Sequence, residues 1–442
     1  MAIKKILVLG AGFVAGPLVR YFLDRPDTAV TIADVEIAKA KALAGARGRG
    51  RAIALDLKDE DGLKKEISGA DIVVSLVPYT FHPAVARLCI ALKKNMVTTS
   101  YAGEAMTALD GDARRAGIVI LNEVGLDPGI DHMEAMRIIH SVKDRGGTIL
   151  GFTSYCGGLP APDAKTNPFG YKFSWSPRGV LLAGKNAARF LQDGREIRVP
   201  AEDLFDHYTM RTIRGLGDFE GYPNRDSLPY IELYGIPETR TMFRGTLRYP
   251  GWCETLKKIA DLGLLDQTET DFRGISHGEF VARLIGRSGT PDLKAALVER
   301  LGLKPGSKVI DRLEWLGLLS GERLPFDRGS ALDVLEALML NKLQYGPGER
   351  DMIVLQHEFQ AVDADGRPDR ILSTLIDYGD PGGDSSMART VGLPAAVGTR
   401  LVLEGKIQRK GVCLPVHPEI YEPILEDLEG HGLSFKEERS AA

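Results

Sequence analysis

At 442 residues the chain is longer than one hydrophobic core usually serves, so two or three domains are expected. Apolar residues at 44% and charged residues at 26% are the balance of a soluble globular protein, and a net charge of -4 gives no general attraction to nucleic acid or to an anionic membrane. Cys89, Cys156, Cys253 and Cys413 are too scattered for a zinc pair or a redox motif and too few for a secreted disulfide scaffold; with no signal peptide and no run near the ~20 apolar residues that span a bilayer, a cytoplasmic, metal-free protein is expected.

The first stretch carries the most information. Lys4 to Leu9 is a short apolar run closed by Gly10, and helical spacing follows through Leu23, which predicts a buried parallel strand turning directly into a helix. Gly10 permits the tight turn, Gly12 lets the backbone approach a pyrophosphate, and Ala15 fills the third small position, with Phe13 and Val14 in the loop between. A strand-to-helix turn that binds nothing is the competing reading. Ala29 to Ala33 predicts a second strand with Asp34 at its carboxyl end, about 20 residues beyond the glycines. A carboxylate there grips the ribose hydroxyls of NAD and repels the extra phosphate of NADP; it can equally cap a helix over Val35 to Ala44.

Strand and helix go on alternating through Ala52 to Leu55, a helix from Asp59, Asp71 to Val77, Met96 to Thr99 and Ile118 to Leu121. That alternation predicts a doubly wound parallel sheet, in which ligands bind beyond the carboxyl ends of the strands. Asp56, Val77, Pro78, Tyr79, Ser100, Tyr101, Glu123, Val124 and Gly125 then surround one crevice, with Asp56 read either as an adenosine contact or as a solvated loop acid. Gly125 to His132 reads as a turn into a helix whose Ile130, Met133, Met136 and Ile139 share a buried stripe. Pro128 suits the first helical position, so Asp127 is either an N-cap or a substrate group, and His132 has no partner at metal-ligand spacing.

Thr148 to Tyr155 predicts a strand, and Cys156 to Val180, a mixture of glycine, proline, aromatic and cationic residues without period, reads as a site wall. Further strands are expected near Ile197 to Val199 and Tyr230 to Leu233, with a loop over Gly221 to Ser227. From Glu254 to about Tyr345 amphipathic helices take over, a helical insertion. Met352 to Phe359 then pairs with Arg370 to Ile376 across a turn holding Asp363 and Gly366. A last helix, Leu393 to Leu403, returns to the first domain, and Lys436 to Ala442 is expected to fray.

Gly125 to His132, Ser154 to Val180, Tyr222 to Ser227, Arg244 to Tyr249 and Thr390 to Ala396 together resemble the glutamate-forming saccharopine dehydrogenases, over nearly the whole chain. The resemblance implies an α/β fold, a Rossmann-type doubly wound parallel sheet plus a mixed-sheet α+β domain that binds substrate and forms homodimers, with a helical insertion. On this chain the parts fall at 1-125 with about 388-442, at 126-253 with 346-387, and at 254-345. It also implies hydride exchange between a nicotinamide ring and the carbon of a secondary amine, interconverting saccharopine with L-glutamate and 2-aminoadipate 6-semialdehyde through an imine.

The residues meet that chemistry at one physical point. Saccharopine carries three carboxylates, which planar guanidinium forks match, and Lys172, Arg178, Arg225, Arg244 and Arg248 lie in segments read as loops. Ser100 and Thr246 complete the substrate set. Any single cation can instead be an ion-paired surface group. For the proton relay, Asp127 is the candidate base, with Tyr101 and Cys156 orienting, although Cys156 also suits a small apolar filler. The best-known members use NADP and carry a basic residue after the second strand, whereas this chain has Asp34, with Lys39 and Lys41 the nearest cations; NAD is therefore expected to be preferred over NADP. The rival readings are a dehydrogenase of lysine or of a carboxylated polyamine (carboxynorspermidine-type), and a non-catalytic nucleotide-binding protein.

Overall fold

The computed structural model describes residues 3–45, 48–287 and 292–440. They form two compact units, Met1–Ile149 with Gln360–Ala442, and Leu150–Phe359.

The first unit is built on a seven-stranded parallel sheet. Its strands are β1 (Lys4–Leu9), β2 (Thr28–Asp34), β3 (Gly50–Ala54), β4 (Ile72–Ser75), β5 (Asn95–Thr98) and β6 (Val119–Leu121), with Gly411–Cys413 added beside β6. Outward from β1 the order runs β2, β3 on one side and β4, β5, β6 and Gly411–Cys413 on the other. Strand order reverses at β1, so the crevice of a doubly wound sheet opens there. The helices are α1 (Ala15–Leu23), α2 (Ile37–Ala44), α3 (Glu60–Gly69), α4 (His82–Ala91), α5 (Glu104–Thr107), α6 (Asp110–Ala116) and α7 (Ile130–Asp144). Leu7, Leu9, Leu63, Ile67, Val73, Val85, Met96 and Ile120 form a continuous buried layer, because strands covered on both faces are apolar throughout rather than alternating.

Helix Ser386–Leu403 packs against α1, and Gly392 permits the approach: a β-carbon there would lie 2.7 Å from the Val14 carbonyl oxygen. Asp59 caps α3 by accepting from the Gly62 amide at 3.0 Å, as its position before an acidic helix predicts. Leu393 to Leu403 is not the last helix, since Pro418–Gly430 follows it. Nor does the tail fray over its described part. Lys436–Ser440 pairs antiparallel with Pro368–Tyr378, because an edge strand is held by backbone bonds that its charged side chains do not oppose.

In the second unit, strands Thr209–Ile213, Gly217–Pro223, Thr241–Arg248, Thr148–Pro160 and Asp351–Val362 lie side by side in that order, with the hairpin Ala188–Gln192 and Arg195–Val199 attached to Thr241–Arg248. Thr241–Arg248 runs parallel to Thr148–Pro160 and antiparallel to Gly217–Pro223, so the sheet is mixed. Helices occupy most of residues 252–342, as the amphipathic spacing predicts.

Three local expectations are corrected here. Cys156 to Pro160 continues the strand Thr148–Pro160 in spite of its two glycines, with Thr241–Arg248 paired alongside as far as Cys156. Tyr230 to Leu233 lies in a helical turn, Pro229–Leu233, where proline at the first position outweighs the strand propensity of Tyr and Ile. Arg244 and Arg248 stand on a strand rather than in loops.

Candidate active site

The glycine loop follows β1 as predicted. Gly10 has φ 99°, and a β-carbon there would stand 3.0 Å from the Leu76 carbonyl oxygen, so only glycine fits. Gly12 faces open space. Helix α1 has no side-chain cap and no acidic residue in its first turn, which leaves its amino end free for an anion. Phe13, Val35 and Tyr79, 64%, 66% and 74% exposed, sit after β1, β2 and β4. Apolar side chains so exposed at the carboxyl ends of one sheet suit the flat rings of a dinucleotide, and the residues present therefore fit that cofactor.

Asp34 ends β2. Its Oδ2 accepts from the Ala11 amide at 2.7 Å and its Oδ1 from the Glu36 amide at 2.8 Å, so the carboxylate braces the glycine loop and caps the turn into α2. Lys39, the nearer cation, is paired with Glu36. Asp56 holds its own turn, accepting from the Lys58 amide at 2.9 Å. Val77 is half-buried and Pro78 exposed, while Val124 and Gly125 are buried behind the end of β6.

Ser100 follows β5 and meets a histidine that the sequence did not single out. His82, buried at the start of α4, lies 2.9 Å from the Ser75 hydroxyl through Nδ1, and 2.9 Å from Ser100 Oγ and 3.2 Å from Thr98 Oγ1 through Nε2. Burial lowers its pKa to about 4, so it is neutral at physiological pH. A histidine opening a mostly apolar helix is the signal the sequence offers.

Tyr101 and Asp127 are brought together: the phenol donates to Asp127 Oδ1 at 2.9 Å. Asp127 is not an N-cap. The Asp127-Pro128 peptide is cis, Gly129 is the capping residue and α7 starts at Ile130, so Pro128 precedes the helix rather than opening it. Ile130, Met133, Met136 and Ile139 are buried as one stripe, as predicted. His132 does have carboxylates beside it, Glu123 at 2.7 Å from nine residues earlier in the chain and its helix neighbour Asp131 at 4.0 Å.

In the second unit Cys156, Thr246 and Tyr222 are register partners across three adjacent strands, and Cys156 is buried. Two of the expected cations are already neutralised. Lys172, buried, pairs with Glu349 and donates to Thr166 Oγ1 at 2.8 Å; that contact holds the Glu349 carboxyl below its ordinary pKa. Arg178 pairs with Asp333 at 2.7 Å and Glu336 at 2.9 Å. Arg225 is exposed with φ 59°, and Arg244 is buried with its guanidinium 4.4 Å from the centre of the Tyr230 ring. Arg248 is buried over the rings of Tyr171 and Trp252 at 4.9 and 5.4 Å. Stacking on aromatic faces suits guanidinium and fixes its plane.

No helix among the described residues is long and apolar enough to cross a membrane. Residues 6–121 match the family model of the saccharopine dehydrogenase NADP binding domain, and 125–433 that of the saccharopine dehydrogenase C-terminal domain. The chain is 43% identical to the saccharopine dehydrogenase [NADP(+), L-glutamate-forming] of Saccharomyces cerevisiae over 99% of this chain and all of that one. It is 41% identical to the enzyme of that name from Pyricularia oryzae, over 99% of each. The solved apo histidine-tagged saccharopine dehydrogenase (L-Glu forming) from Saccharomyces cerevisiae superposes with a TM-score of 0.90 at 42% identity, covering 99% of this chain and all of that one. The relatives' names give NADP and lend no support to the preference for NAD drawn from Asp34. On its whole length, the chain belongs to the saccharopine dehydrogenase family.

Proposed function

We propose that the protein is an oxidoreductase that interconverts saccharopine with L-glutamate and 2-aminoadipate 6-semialdehyde in lysine metabolism. The carrying observation is identity of about two residues in five, end to end, with enzymes named for that reaction. When bound, the nicotinamide ring takes up or returns the hydride at the carbon beside the secondary amine. In the oxidative direction the amine also gives up a proton, the resulting imine adds water, and the C–N bond breaks to release glutamate. Asp127 is the proposed proton acceptor, hydrogen-bonded to Tyr101; Cys156 and Thr246 contact substrate, and Ser100, held by His82, orients it. Arg225 and Arg244 are the proposed carboxylate forks. Lys172 and Arg178 belong to the same set, exchanging Glu349, or Asp333 and Glu336, for substrate.

The functional division remains that expected from the sequence, with 1-125 and about 388-442 for the dinucleotide, 126-253 and 346-387 for substrate and a homodimer contact, and 254-345 as the helical insertion. A cytoplasmic homodimer is part of the reading, and four cysteines with no disulfide among them suit a reducing compartment.

For the cofactor we propose NAD. Asp34 ends β2 and Glu36 follows it, with the nearest cation, Lys39, already paired with Glu36, so a 2′-phosphate brought there meets net negative charge. NADP is the second reading, favoured by the relatives' names and by the binding of Asp34 to backbone amides. One experiment tests activity and cofactor together. Purified protein is mixed with saccharopine and either NAD or NADP, and reduced nicotinamide and free glutamate are followed. Glutamate release matching reduction, with kcat/KM at least tenfold higher for NAD, is expected. No glutamate with either cofactor refutes the activity; a higher value for NADP refutes the preference alone.

A further inference from the structure

Tyr101 and Asp127 lie on different connections, one after β5 and one after β6, and both connections are tied to a single buried carboxylate. Glu123 has φ 61°, a left-handed backbone that non-glycine residues seldom adopt. Its Oε1 accepts from the Ala102 amide, next to Tyr101, at 2.8 Å, and its own amide donates to the Ser100 carbonyl oxygen at 3.2 Å. Its Oε2 meets His132 Nε2, in the first turn of α7, at 2.7 Å. Glu123 is 5% exposed and His132 is 0% exposed.

The chain between these two residues is closed on itself. Gly125 donates to the Pro128 carbonyl oxygen at 3.0 Å, Ile130 to that of Gly125 at 2.8 Å and Asp131 to that of Leu126 at 3.0 Å. Asp131 Oδ1 in turn accepts from the Gly129 amide at 2.6 Å. Asp127 stands half-buried at the tip of this ring, with the Tyr101 hydroxyl 2.9 Å away. A buried polar pair of this kind adds little net stability over apolar residues of the same size, so stability alone does not account for one set into a left-handed backbone.

We propose that the Glu123–His132 pair is a positioning device that fixes the Tyr101–Asp127 contact, with Glu123 fastening both connections and His132 anchoring Glu123 to α7. The inference rests on the reading of Tyr101 and Asp127 as the proton-handling groups. A double-mutant cycle on the full chain tests it, with Glu123→Gln, Tyr101→Phe and their combination, and with His132→Gln approaching the pair from the helix side. Glu123→Gln and His132→Gln each lower kcat for saccharopine oxidation about tenfold, with the KM for the dinucleotide within twofold of wild type. In the Tyr101→Phe background they lower it by less than twofold, because the contact they position is already gone. Losses that multiply in the double variants, or a wild-type kcat in Glu123→Gln or His132→Gln, overturn the proposal. If instead Tyr101→Phe and Asp127→Asn keep a wild-type kcat, the underlying site reading fails, a result separable from the first.

Discussion

Replacing His82 by glutamine should flatten the acid limb of the stability profile. The imidazole sits buried between Ser75, Thr98 and Ser100, and burial lowers its pKa from 6.5 to about 4. The unfolded chain takes up a proton at this residue below pH 6.5, while the folded chain refuses it until about pH 4. Its contribution is therefore fully present above pH 6.5, is lost progressively as the pH falls, and is gone below pH 4. The gap of about 2.5 pH units corresponds to about 3 kcal/mol at 1.36 kcal/mol per unit. Glutamine keeps polar atoms for the three hydroxyls and does not titrate. Between pH 7 and pH 4 the wild type should lose about 3 kcal/mol more than His82→Gln, a difference of roughly 6–10 °C in the midpoint of a unit of this size. Thermal unfolding of the two proteins at matched pH reads the difference directly, since every other titrating group is common to both. Amide exchange in β4 and β5 reads it locally if the two units melt separately. Parallel profiles over that range, or an imidazole resonance titrating near pH 6.5, would refute the reasoning.

Gly129→Ala should cost about 3 kcal/mol or more, because the added carbon would lie 2.0 Å from the Gly125 carbonyl oxygen at φ 149°; a soluble variant melting within 2 °C of wild type contradicts this. Lys172→Met should cost about 3 kcal/mol, the low end for a broken buried pair, since Glu349 keeps the Gly346 amide and the Thr166 hydroxyl. The saccharopine KM should stay within threefold of wild type if the lysine is structural. A large rise in KM with an unshifted melting midpoint shows instead that it leaves Glu349 for the substrate.

What could be read from the residues followed the range of the forces involved. The parallel sheet was legible because strands covered on both faces must be apolar throughout, and the glycine loop because its backbone geometry admits few residues. Tyr230 to Leu233 reads as a strand because aromatic and β-branched residues suit one, while the proline before them opens a helical turn. Lys436 to Ser440 looked frayed because an edge strand draws on its neighbour's backbone, which composition does not display. Glu123 and His132 were both noticed, but their contact depends on a left-handed turn that no local pattern announces. The loss of Lys172 and Arg178 to internal acids was equally hidden, since Glu349, Asp333 and Glu336 lie more than 150 residues further along the chain.

The nucleotide unit is assembled from both ends of the chain, with helix Ser386–Leu403 seated on α1 through Gly392 and Gly411–Cys413 completing the sheet beside β6. A ribosome thus releases the glycine loop long before the segments that cover its helix. Until translation reaches those segments, the apolar flank of α1 and the open edge of β6 are sticky surfaces on a nascent polypeptide, and sheltering them falls to chaperones rather than to the protein's own core.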